Sequence, residues 1–171
     1  MFHVSPSTVS PTGAPPRFVI LPSMEHREMP NEVLIGAAAD FLKEGREVVL
    51  TPKGSSMLPF IRGQIDSVRL KKKDTVKKGD IVLADLGDRY VLHRVFREDD
   101  QRLTLMGDGN IKGVESCDRS DILGTVTSII RPSGKEIKPG KGGLWRALLP
   151  VRRYILAIYR RLLCVSRKDS F

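Results

Sequence analysis

The stretch DIVLADLGDRYVLHRVF, residues 80–96, reads as two strands folded back on one another. Ile81, Val82 and Leu83 on one side, and Tyr90, Val91 and Val95 on the other, are strong β-formers. Gly87-Asp88 sits between the two runs, where a hairpin connection takes a residue at positive φ. Similar short apolar runs continue on both sides: REVVLT (46–51), DSVRLKK (66–72), RLTLMGD (102–108) and ILGTVTSII (122–130). Each is bounded by Gly, Asp or Lys turns. Strands at this spacing predict a mainly β fold, a coiled sheet or small barrel, rather than an α/β fold.

The ends of the chain read differently. MPNEVLIGAAADFLKEG (29–45) has the pattern of a helix. Asn31 is placed to cap it, Val33, Leu34, Ala37, Ala38, Phe41 and Leu42 recur at helical spacing, and Gly45 stops it. Residues 1–22, rich in Ser, Thr and Pro, read as a disordered tail without the basic start and apolar run of a secretory signal. The expected organisation is therefore a tail (1–22), a β domain with its leading helix (29–137), a linker (138–143) and a C-terminal helix (144–171).

That last segment carries most of the charge asymmetry. The 171-residue chain has a net charge of +9, and Leu144–Lys168 holds six Arg and one Lys without an acid. At helical spacing Leu144, Leu148, Val151, Ile155, Ile158, Tyr159 and Leu162 form one stripe, with Arg146, Arg153, Arg160 and Arg161 opposite. Pro150 kinks this helix or starts its longer half. Such a basic amphipathic helix either packs on the β domain or lies on an anionic membrane surface through Leu144–Leu163; nucleic acid is the less favoured partner. No run of about 18 apolar residues occurs, so no membrane-spanning helix is expected. Cys117 and Cys164 have no metal-ligand spacing around them, so they read as reduced thiols of a cytoplasmic protein, and neither metal nor cofactor is expected.

The chemistry turns on GSSMLP, residues 54–59. A serine attacks a carbonyl only when a neighbouring base takes its proton. Of the three histidines, His3 lies in the tail and His26 precedes the first helix. His93 lies inside a strand, on the face of Val91 and Val95, with Leu92 and Arg94 on the other.

In order, GSSMLPFIRGQIDSVRL, KKGDIVLA, YVLHRVF, LMGDGN and ILGTV resemble the boxes of type I signal peptidases and the related LexA-like self-cleaving repressors, over about Val48 to Ile130. The resemblance implies the coiled β fold of that superfamily, with Ser56 as nucleophile and Ser55 in the variable position. Gly79–Val82 matches its GDIV strand. His93 falls where most bacterial members have lysine, and where endoplasmic-reticulum, archaeal and spore-former signal peptidases have histidine. Asp108, in a GDxN-like box, is implied as the carboxylate supporting that histidine. Val114 stands where a second acid is usual, which leaves Glu115, Asp118 or Asp121 as substitutes. The oxyanion would be held by the Ser55 hydroxyl or by a backbone N–H near Ser56. The implied activity is a serine endopeptidase cleaving an extended peptide or leader, in the cytoplasm or at the inner face of the membrane. The alternatives are a LexA-like self-cleaving regulator and a membrane-associated binding module with a degenerate site.

Overall fold

A computed structural model describes residues 18–20 and 31–168. In it the opening hairpin is β4 (Ile81–Asp85) and β5 (Tyr90–Glu98), paired antiparallel from Ile81↔Arg94 to Asp85↔Tyr90. The turn closes as Leu86 N–H donates to Arg89 O at 2.9 Å, with Gly87 at φ +87°.

The other strands are β1 (Phe18–Ile20), β2 (Glu47–Leu50), β3 (Ser67–Lys71), β6 (Arg102–Met106), β7 (Glu115–Asp118), β8 (Ile122–Ile130) and β9 (Glu136–Ile137). They form one sheet in the order β1-β2-β3-β8-β4-β5-β6-β7, with β9 paired to β8. Only β1 and β2 run parallel. Register shifts at Arg69/Leu70, Leu83/Ala84 and Val95/Arg97 bend the strands and coil the sheet.

The fold is mainly β, and every strand expected from the sequence forms. Two elements go beyond that expectation. β1 falls inside the stretch read as a disordered tail, and its backbone pairs Phe18–Ile20 with Glu47–Val49; the rest of residues 1–22, and His26, lie outside the described residues. β7 (ESCD) shows no apolar alternation, because its single buried residue is Cys117. β9, by contrast, completes with the end of β8 the short hairpin expected of RPSGKEIKPGKGG (131–143).

Two buried clusters lie on either side of the sheet. Helix α1 (Asn31–Lys43) contributes Ala38 and Leu42 to the first, with Val48, Leu70, Leu83 and Val126. Val82, Val95, Leu103, Leu105 and Cys117 form the second. Leu92 packs on the first cluster and Val91 on the second, as strand alternation requires. Buried Asp66 ties the two ends of this core. It accepts from the backbone and guanidinium of Arg62 and pairs with Arg131. Burial pushes its carboxyl pKa up, but the Arg62 hydrogen bonds and the Arg131 charge outweigh that and hold it below the ordinary value.

The C-terminal segment is broken in two: α2 (Gly143–Ala147) and α3 (Arg152–Lys168), with Pro150 in the turn between them. It docks through Trp145 and Leu156, aided by Leu148 and Tyr159, onto Leu58 and Phe60, while buried Arg152 reaches Met106, Gly107 and Asp108. The apolar stripe read from the sequence is therefore split. Leu148 and Tyr159 turn inward, while Leu144, Val151, Ile155, Ile158 and Leu162 stay exposed. Arg152 takes the inward position because a buried acid, Asp108, lies 3.6 Å from it. No helix among the described residues is long and apolar enough to cross a membrane.

Candidate active site

Ser56 lies in the turn that β2 leads into. Gly54 opens it at φ +85°, a conformation side chains rarely adopt, and the peptide Leu58–Pro59 is cis. The Gly54 carbonyl lies so close to Gly63 that a Cβ there would meet its oxygen at 1.9 Å. Packing of Met57, Leu58 and Ile61 into the interior then fixes the chain immediately after the serine.

Ser56 and His93 line the same cleft, of about 140 Å³, together with Pro52, Lys53, Met57, Tyr90 and Leu92. The imidazole is 5% exposed. Its Nδ1 lies 2.9 Å from Glu115 Oε2, whose other oxygen faces Arg89 at 3.7 Å. A carboxylate only accepts, so Nδ1 carries the proton and Nε2 is the nitrogen with the free lone pair. Register explains the contact. β6 ends at Met106, opposite Arg94, so His93 lies one step beyond the paired region. Glu115, first in β7 and paired with Leu105, reaches it there.

Asp108 does not meet the histidine. Arg94 Nε and Nη2 donate to its two oxygens at 2.7–3.0 Å, and both residues are almost wholly buried. Arg94 Nη1 also donates to Gly79 O at 2.8 Å and to Gly140 O. The expectation that Asp108 supports the His93 ring is thus corrected: an arginine one residue along β5, on the opposite face, claims it. The ring's carboxylate is Glu115, one of the three substitutes considered.

The Asp108 loop nevertheless touches the serine segment. Gly109 N–H donates to Ser56 O at 2.6 Å. A Cβ on Gly107 would meet Ser56 O at 2.5 Å, and one on Gly109 would meet Ser55 O at 2.5 Å, so the approach requires glycine. Donors from α2 and α3 cover the far side of this loop, an arrangement that no sequence signal announced beyond a lone tryptophan and scattered arginines. Among the described residues no group of His, Cys, Asp or Glu side chains is placed to hold a metal ion.

A serine and a carboxylate-held histidine on one cleft of a coiled β-sheet fit the class of serine-type peptidase domains. The chain belongs to the Peptidase S24-like family, whose model matches residues 21–126, from before α1 into β8. No curated protein matches it.

Proposed function

We propose that this protein is a serine endopeptidase of the signal-peptidase-like, Ser–His type. The observation that supports it is the shared cleft of Ser56 and His93, with the ring's Nδ1 bonded to Glu115. In this reading His93 Nε2 takes the Ser56 proton as Oγ attacks the scissile carbonyl. The amine product leaves with that proton, and an acyl-ester remains on Ser56. Water, deprotonated by the same nitrogen, then releases the acid product and restores the serine. Glu115, bonded to Nδ1, stabilises the imidazolium. Small side chains next to the cleaved bond are what the signal-peptidase resemblance implies; the cleft, of about 140 Å³, has room for one side chain up to roughly the size of benzene.

Replacing Ser56 by Ala, or His93 by Ala, is expected to abolish both peptide cleavage and labelling by a serine-directed phosphonate probe, without unfolding the domain. Undiminished cleavage by the Ser56→Ala protein would sink the reading. If the native protein takes no probe at all, it is a binding module with a degenerate site.

Self-cleavage, as in LexA-like regulators, is the second reading, and the family match favours it. It predicts a shortened chain in which the cut depends on Ser56; intact mass under all conditions counts against it.

The same proposal places the domain at an anionic membrane surface. α3 presents Ile158 and Leu162, 62% and 63% exposed, with Ile155 and, in the turn before it, Val151, beside Arg153 and Arg161. Flotation with vesicles containing anionic lipid is expected, and is expected to fall in high salt and in the Ile158→Asp, Leu162→Asp double variant. Equal flotation of that variant refutes the contact.

A further inference from the structure

Helices α2 and α3 lie beyond residues 21–126, the span of the family model, yet they grip the loop that backs the serine. Three successive carbonyls of that loop each receive a donor from them. Arg152 Nη2 donates to Gly107 O at 3.4 Å, Trp145 Nε1 to Asp108 O at 2.9 Å, and Arg160 Nη2 to Gly109 O at 3.1 Å. On its other side the same loop presses on the nucleophile segment, with Gly109 N–H on Ser56 O and no space for a Cβ at Gly107 or Gly109. Trp145 and Leu156 also bury Leu58, two residues past Ser56.

We propose that α2 and α3 form a brace that sets the position of Ser56 through the 107–109 loop, with Trp145 and Arg160 as positioning residues. The catalytic consequence rests on the peptidase reading of Ser56 and His93; the mechanical one does not. Ser56 lies inside a turn, where Leu58 N–H donates to Ser55 O at 3.2 Å, and β-strand hydrogen bonds do not hold it. A carbonyl clamp from both sides supplies what the sheet does not. Misplacement of a reacting atom by about 1 Å costs on the order of 100-fold in rate, so partial loosening is readable.

The test uses the full chain carrying Trp145→Phe, which removes the N–H donor and keeps an aromatic ring, and separately Arg160→Met, a change at an exposed side chain that leaves the core intact. Two quantities are measured well below the melting temperature. One is the rate of probe labelling or peptide cleavage at Ser56 per folded molecule. The other is hydrogen exchange of the Gly109 amide. Each variant is expected to lower the rate about tenfold through kcat, with KM and the pH midpoint unchanged, and to speed Gly109 exchange by a similar factor; Arg160→Lys is expected to restore part of both. Unchanged Gly109 exchange in both variants overturns the brace, whatever the rate does. If Gly109 exchange quickens while the native protein itself neither cleaves nor labels, the brace stands and the peptidase reading falls. If the native protein is active and exchange quickens with no loss of rate, the loop is not what positions Ser56.

Discussion

Converting each of the site's two carboxylates to its amide is expected to have opposite consequences. In Glu115→Gln the shape is kept, but the bond to His93 Nδ1 changes from charge-assisted to neutral. Hydrogen bonds to charged groups contribute about 1.5–3 kcal/mol and neutral ones about 1 kcal/mol, so the imidazolium formed in the reaction loses about 0.5–2 kcal/mol relative to the neutral ring. At about 1.4 kcal/mol per decade, that is roughly a 2- to 30-fold loss of rate. Stability changes little, because the Arg89–Glu115 pair is 3.7 Å apart and its arginine is mostly exposed. In Asp108→Asn the order reverses. Arg94 and Asp108 side chains are 3% and 2% exposed, so the amide leaves a buried guanidinium without its counter-charge. Breaking a buried pair costs about 3–5 kcal/mol, which for a domain of this size lowers the melting temperature by roughly 6–20 °C. Thermal melts and second-order labelling of Ser56, compared per folded molecule, read both axes. Labelling of Glu115→Gln at the native rate, or native-like melting of Asp108→Asn, would refute the assignment of the two acids.

Two further expectations concern titration. The Asp66 carboxyl is held below its ordinary value in the folded state, so its contribution is complete above the unfolded pKa of about 3.9 and is lost as pH falls through the lower folded value. Melting temperature is therefore expected to hold near neutrality and drop below about pH 4, and Asp66→Asn to start lower at pH 7 with a flatter acid limb; an identical limb in the variant contradicts this. Cys117 is buried, and burial, with Asp121 and Asp118 nearby, pushes its thiol up to about 11. At pH 8 roughly 0.1% is thiolate, so peptide-resolved alkylation of Cys117 is expected only on unfolding. Labelling in the native state at the speed of a free thiol would show that the site opens.

The strands and the first helix were legible because their apolar residues keep a period that local geometry imposes. The candidate serine and histidine were legible through ordered boxes that resemble a known family, since hydroxyl, imidazole and turn glycines sit in short segments of fixed spacing. Glu115 was harder to assign. It belongs to ESCD, which has no periodicity, and it reaches His93 only because β6 ends one register step early. Asp108 was assigned to the wrong partner because sequence order cannot say which of two neighbouring side chains, His93 or Arg94, faces it.

By itself, then, the sequence determined the mainly β architecture, the candidate serine and histidine, and a basic amphipathic C-terminus. Local propensities suffice for the strands and helices, and the resemblance of short ordered motifs for the serine and the histidine. Tertiary structure alone decided the pairing of acids with bases and the face by which the C-terminal helix docks. Those choices depend on which charges burial forces together: Asp108, enclosed in the interior, draws in Arg94 and Arg152 and leaves Ile155, Ile158 and Leu162 outside while Leu156 is buried.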